Sequence, residues 1–432
     1  MNFQTDFSKD ELLERRKRLG SKLSEGAFAL IPGAGTPPGG SLFRQYNEFY
    51  YFCGVEQPGC YLLINHKGES TIFLPDDDHG SGYNASNASA VAQTTGLDTI
   101  RPLSFLTRRL QWIRELYFPS KELEGEKESW DSLERWRQST LNDPLDGRRS
   151  RVGQIAANLR SEFPMMGLRD LSPIIDEMRS IKSESELVLM RRAGELTGLG
   201  TAAAMKATRP GMIEYELYAE MEYVFLKGGS RGPSYAPIVP GSANAGDSHY
   251  GANNCRLDDG DIVLADCAPD YRYYTSDIGR MWPVNGVFSA QQKALYNYVL
   301  EYHSTLLSLM KPGAMRQEIH RVAAETMRPK FETWEFFSKE QRETAACLFD
   351  FWDHVSHGVG MCVHDVSSHH TRPFEPGMVF AVDPMAWDRK NQTYYRVEDT
   401  VVITEIGCEV LTKSCPLKVE DIEALMRGSH NS

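Results

Sequence analysis

The second half of the chain repeats itself, and the repeat limits what it can fold into. Asp258-Asp259-Gly260-Asp261-Ile262-Val263-Leu264-Ala265-Asp266 is echoed by Glu375-Pro376-Gly377-Met378-Val379-Phe380-Ala381-Val382-Asp383. In both copies a glycine turn leads into an apolar strand that ends on an aspartate six residues after the glycine. A second carboxylate follows each copy, Asp277 and Glu398. A histidine precedes each aspartate, His249 by seventeen residues and His364 by nineteen. Upstream, each copy has two helical stretches separated by Pro-Gly: Arg209-Pro210-Gly211 before a helix from Ile213, and Lys311-Pro312-Gly313 before one from near Met315. Proline lacks the N–H a helix interior needs and glycine favours the left-handed cap, so each stretch is broken into two helices. Two αα–ββ units result, most simply packed with helices covering a curved antiparallel sheet.

At 432 residues there is room for two or three domains, each with its own core. The first, residues 1–178, reads as an α/β unit, with a helix over Glu11 to Ser24 and strands at Ala27 to Ile31, Cys60 to Asn65 and Ser70 to Leu74. The glycine-rich stretch from Gly33 to Gly40 holds two prolines and opens no helix, so it reads as a surface turn rather than a phosphate loop. Trp130, Leu133 and Trp136 fall at helical spacing and predict an amphipathic surface helix. The duplicated domain takes residues 179–432. It opens with Ser183-Glu184-Ser185-Glu186, a capping box that starts a helix running to about Thr208.

A formal charge of −12 argues against binding nucleic acid through phosphate contacts. No apolar run approaches the roughly 18 residues of a membrane span. The N-terminus has no basic segment followed by an apolar run, and the eight cysteines are scattered without Cys-x-x-Cys. Both features point to reduced thiols in the cytoplasm. The glycosylation-like triplets at Asn84, Asn87 and Asn391 then read as chance matches.

Four carboxylates from two half-repeats form the kind of cluster that two divalent cations require. If Tyr271-Arg272 make a two-residue hairpin loop, Asp266 and Asp277 face each other directly. Facing buried anions repel and raise one another's pKa, a cost that bound cations remove. Between Trp352 and Asp365 lie three histidines, His354, His357 and His364. His357, followed by Gly358-Val359-Gly360, is the expected ligand, with His364 beside it or facing substrate. Carboxylates with one imidazole form a hard donor set that favours manganese over zinc.

These residues resemble the pita-bread metallopeptidases, the family of aminopeptidase P, prolidase, methionine aminopeptidase and creatinase. The likeness is strong at Tyr274-Thr275-Ser276-Asp277-Ile278-Gly279-Arg280 and continues through His357, His364 and Arg396-Val397-Glu398-Asp399. The segment from Phe43 to Pro58 is similar to the N-terminal domain of aminopeptidase P and the longer prolidases, which methionine aminopeptidases lack. The resemblance implies an α/β (α+β) chain: an aminopeptidase-P-like α/β domain, then a pita-bread domain with a pseudo-twofold αα–ββ repeat. It implies two divalent metal ions held by Asp266, Asp277, His357, Asp383 and Glu398, with Asp277 and Glu398 bridging them. His249, His364, Asp383 and Arg396 are the implied catalytic residues. The implied reaction is hydrolysis before proline at the second position of a peptide. Alternatives are a prolidase restricted to dipeptides, another hydrolase on the same site, or a silent peptide- or protein-binding relative. Family members commonly form homodimers or homotetramers.

The chain departs from the family in three places. Asp383-Pro384-Met385 stands where the family usually has glutamate followed by proline-glycine. Asp353, with His354 next to it, stands where a histidine is common. The loop before Glu398 is short and offers Arg389 or Lys390 for a substrate carboxylate. The aromatic stretch Phe331 to Phe337 reads as packing in the core or against a partner.

Overall fold

The computed structural model describes residues 2–3, 6–37, 42–75, 85–125, 127, 129–367, 371–388 and 393–429. Asn84, Arg389, Lys390 and Asn391 lie outside them. The chain divides into two compact units, Met1–Arg179 and Ser180–Ser432.

In the first unit, β1 (Asn2–Phe3) pairs with β3 (Val55–Glu56) in a small ribbon. The main sheet contains β2 (Phe28–Pro32), β4 (Tyr61–Asn65), β5 (Ser70–Leu74), β6 (Thr99–Pro102), β7 (Glu115–Phe118) and β8 (Gly167–Asp170). Their order is β6-β5-β4-β2-β7-β8, antiparallel through β5-β4-β2 and parallel at both flanks. Leu30, Leu63, Phe73, Leu116 and Phe118 on these strands build a core with Val152 and Leu159. The first long helix spans Lys9–Ser21, capped by the Ser8 hydroxyl. Trp130–Asn142 is the expected surface helix, with Trp130 and Trp136 about half exposed. Residues 33–37 and 42–46 form neither helix nor strand, and the next described helix is Asn47–Cys53.

The second unit contains β9 (Ile262–Ala265), β10 (Ile278–Pro283), β11 (Val355–Gly358), β12 (Val379–Val382), β13 (Met385–Asp388), β14 (Thr393–Arg396), β15 (Glu398–Ile403) and β16 (Cys408–Val410). The sheet runs β11-β12-β15-β10-β9, every pair antiparallel, with β16 added to β15. The two repeats meet at its centre, where β10 of the first lies against β15 of the second. All four residues of β9 and of β12 are buried, which is why both read as continuous apolar runs rather than alternating ones. The helix pairs are Glu184–Ala207 with Glu214–Lys227, and Ala290–Leu309 with Arg316–Thr333. Gly211 and Gly313 take φ of 96° and 81° at the breaks. The Ser183–Glu186 capping box forms as read from the sequence. The aromatic stretch packs inward: Phe331, Trp334 and Phe336 all surround Tyr298, while Phe337 is exposed.

The helix Glu184–Ala207 lies directly on the segment after β16. A Cβ on Gly194 would come within 2.4 Å of the Leu411 carbonyl oxygen, and one on Gly198 within 2.7 Å of the Cys415 backbone nitrogen. Helix propensity alone favours Gly194→Ala by about 1 kcal/mol. Overpacking against backbone costs about 1–3 kcal/mol and should win. We expect Gly194→Ala to lower stability by up to about 2 kcal/mol in urea unfolding; an increase would show that the helix does not rest on this segment.

Candidate metal centre

Four carboxylates meet at the junction of the two repeats. Asp266 immediately follows β9 and Asp277 immediately precedes β10; Asp383 immediately follows β12 and Glu398 opens β15. In the β10–β15 pairing Gly279 lies opposite Glu398. A Cβ at Gly279 would come within 3.0 Å of Glu398 Oε2 and 2.9 Å of Arg396 Cδ, so this glycine leaves room for both side chains. The register of β12 with β15 pairs Val382 with Asp399, which sets Asp383 directly opposite Glu398.

The first hairpin differs from the expected register. Its loop residues are Arg272 and Tyr273, at φ 53° and 74°, closed by reciprocal hydrogen bonds between Tyr271 and Tyr274. The Asp270 carboxylate accepts from the Tyr273 N–H and supports a primed turn made of poor turn residues. Ala265 therefore pairs with Arg280, which puts Asp266 opposite Gly279 rather than Asp277. The difference is an even number of residues, so both aspartates keep the same face as diagonal neighbours.

Arg396 binds three of the four acids. Its Nε donates to Asp383 Oδ1 at 2.6 Å and its Nη1 to Asp266 Oδ2 at 2.5 Å, and its Nη2 lies 2.6 Å from Glu398 Oε2. All five side chains are buried. One guanidinium against four carboxylates leaves a buried excess of three negative charges if all are ionised. Burial, with Asp266 adding, pushes Asp277 up to about 8. Burial likewise raises Asp383, and Glu398 well above the usual range, against the pull of Arg396. Glu398 Oε1 is buried without a hydrogen bond, and Oε2 is held by its ion pair with Arg396. Ligand atoms of Asp277, His357 and Glu398 lie within 4.8 Å of one another. An orphaned acceptor, excess negative charge and an imidazole within ligand distance all fit a site for hard divalent cations.

The histidines divide into two groups. A bulge between Val355 and Gly358 in the β11–β12 pairing re-aims His357. Its Nδ1 lies 3.1 Å from the Gly358 carbonyl, which makes Nε2, 3.4 Å from Asp277 Oδ2, the lone-pair nitrogen. The following loop turns back on buried Asp365, which pairs with Lys182 at 3.3 Å and accepts from the Met361 N–H. That fold lays the His364 ring 4.3 Å from His357, with His249 6.4 Å beyond His364. His354 takes no part. Its Nε2 bonds the Leu348 carbonyl, its ring packs against Tyr302 and Phe351, and burial holds its pKa down at about 4. Asp353 points outward to Arg316.

Two further residues had no signal in the sequence. The Tyr235 hydroxyl lies 2.7 Å from Asp266 Oδ1 and 2.8 Å from Asp277 Oδ1. Its segment runs along β9 through isolated bridges such as Ile238 to Asp266, but Pro233, Pro237 and Pro240 hide any strand pattern. Thr400 exchanges hydrogen bonds with the backbone of Asp277, joining the two repeats.

Beneath the cluster, Asp399 accepts from Arg280 at 2.6 Å and lies 3.3 Å from His303 Nε2. Burial holds His303 down at about 4, against Asp399. An unfolded histidine gains its proton near 6.5 while the folded one stays neutral. The stability His303 contributes is therefore full above about pH 6.5 and is lost as pH falls towards 4. His303→Gln should narrow the stability gap between pH 7 and pH 5 by about 1–2 kcal/mol in urea unfolding; an unchanged gap would exclude this linkage.

Comparison with known proteins agrees with this architecture. Residues 188–405 match Metallopeptidase family M24, and residues 12–116 match Aminopeptidase P, N-terminal domain. The chain is 32% identical to the Xaa-Pro aminopeptidase of Escherichia coli (98% of each chain) and 35% identical to that of Haemophilus influenzae (98% of this chain, 99% of that one). It is 28% identical to the Xaa-Pro dipeptidase of Rattus norvegicus, over 90% of this chain and 85% of that one. Among solved structures, E. coli aminopeptidase P with the inhibitor Pro-Leu superimposes with a TM-score of 0.78 at 29% identity, covering 99% of this chain and 100% of that one. Zinc-substituted E. coli aminopeptidase P in complex with product gives 0.77 at 29% identity, over 98% and 99%. The duplicated domain, its carboxylate cluster and these likenesses lead to one conclusion: the chain belongs to metallopeptidase family M24.

Proposed function

We propose that this protein is a dinuclear Xaa-Pro aminopeptidase that removes the first residue of peptides with proline second. The observation that carries the reading is the buried cluster of four carboxylates, three of which share one guanidinium. Its likeness over nearly the whole chain to the E. coli Xaa-Pro aminopeptidase supports the substrate class. Asp266, Asp277, His357, Asp383 and Glu398 would hold two divalent cations. Those cations would offset the three excess negative charges. The hard donor set supports manganese. The eight cysteines are scattered without Cys-x-x-Cys, which supports a reducing, cytoplasmic setting. No described helix is long and apolar enough to cross a membrane. Assembly as a dimer or tetramer is part of the proposal on the strength of the family resemblance alone.

Bound divalent cations supply Lewis acidity, acidifying water and polarising a carbonyl. The chain's own residues do the rest. Asp383 accepts the proton of the attacking water and passes it to the imino nitrogen of proline as the C–N bond breaks. Arg396 holds Asp383 by a charge-assisted bond and fixes Asp266 at the same time. His364, with His249 beyond it, lies beside the metal histidine and donates to the oxygen on which charge develops. Tyr235 keeps Asp266 and Asp277 in register with each other.

With Mn²⁺, the protein should release the first residue from Xaa-Pro peptides, including amidated ones that a strict dipeptidase rejects. Absence of turnover on both peptides and free dipeptides would sink the reading. Asp383→Asn should lower kcat about 100-fold or more, as loss of a general base does. Tyr235→Phe removes a hydrogen bond that orients two ligands and should weaken Mn²⁺ binding about 10-fold or more in calorimetry. An affinity within about 2-fold of wild type would show that the tyrosine does not support the metal site.

A further inference from the structure

The ribbon of β13 and β14 continues the register of β12 and β15. Met385 pairs with Arg396 and Trp387 with Tyr394, while Asp383 lies opposite Glu398. Side chains alternate along a strand, so Tyr394 shares a face with Arg396, Glu398 and Asp383. Tyr394 is fully buried, its ring against Trp387 at 4.6 Å between centroids. Its hydroxyl nonetheless makes no hydrogen bond. A buried hydroxyl without a partner is costly and calls for an explanation. Burial raises the phenol's pKa, with Arg396 opposing and Asp266, Asp383 and Glu398 adding, so the hydroxyl lies within electrostatic reach of three of the four acids and of their arginine.

We propose that Tyr394 is a positioning residue of the active site, its hydroxyl pairing with the Asp383 carboxyl as that group gains and loses a proton. The inference rests on the reading of Asp383 as proton carrier. In that cycle a water O–H bond breaks as an Asp383 O–H bond forms. The proton then leaves for the imino nitrogen as the C–N bond breaks, and Asp383 returns to carboxylate. Arg396, which binds Asp383, can serve only one of these states. A guanidinium has five donors and no acceptor, so it holds the carboxylate and has nothing to offer the acid's O–H. A phenolic hydroxyl both donates and accepts, so it can serve both states. Tyr394 carries such a hydroxyl, uncommitted, on the same face.

Two measurements test this. In a crystal structure of the Mn²⁺-loaded protein with Pro-Leu, the Tyr394 oxygen should lie within about 3 Å of an Asp383 carboxylate oxygen. Tyr394→Phe should lower kcat about 10-fold while KM and the Mn²⁺ dissociation constant stay within about 2-fold. A Tyr394 oxygen out of contact with Asp383, or an unchanged kcat in the variant, overturns the proposal. If the wild type cleaves no Xaa-Pro peptide, the functional reading fails by itself, and the crystal structure still decides whether Tyr394 pairs with Asp383.

Discussion

One buried guanidinium shared among three carboxylates is the interaction around which the second unit is organised. Taking four acids out of water next to one another is unfavourable, and a single arginine offsets only part of that cost. The remainder appears in the raised proton affinities of Asp277, Asp383 and Glu398. A fold that maintains such a cluster must hold it rigidly. Here the acids are fixed by strand ends, with Asp277 tied through its backbone to Thr400 and Asp399 anchored by Arg280 below. The charge excess that makes the cluster costly in isolation is also what suits it to divalent cations.

The two repeats are alike in topology and unequal in detail. In the second, Asp383 and Glu398 stand directly opposite; in the first, Asp266 and Asp277 are diagonal, and the Tyr235 hydroxyl spans them. Arg396 belongs to the second repeat yet reaches Asp266 in the first. The departure at Asp383 fits this arrangement: the shorter carboxylate is held at 2.6 Å by the Nε of the same arginine. The second departure is resolved differently. Asp353 turns outward to Arg316 and His354 inward to Leu348, so neither supplies a histidine to the site.

Much of the architecture was legible in the sequence because local rules and the global fold agree. Pro-Gly breaks, a capping box and two Gly-to-Asp strands each specify an element without long-range information. Their duplication then implies a symmetric sheet. The hairpin register departs from the sequence expectation because it depends on a turn whose residues have no strong propensity. Arg272 and Tyr273 adopt positive φ only because the Asp270 side chain and the strand pairing hold them there.

By itself the sequence determined the repeat, the order of helices and strands, and the set of acids and histidines available for chemistry, since these follow from periodicity and spacing along the chain. Only the tertiary structure decided which of them meet. Tyr235 lies far from any motif and is brought to the cluster by bridges to the strand before Asp266, and Tyr394 shares the cluster's face only through the register of its ribbon, whereas His354, three residues before His357, is turned away by its own carbonyl partner. Side-chain direction depends on register, bulges and hydrogen-bond partners supplied by other segments, and none of these is written in local spacing.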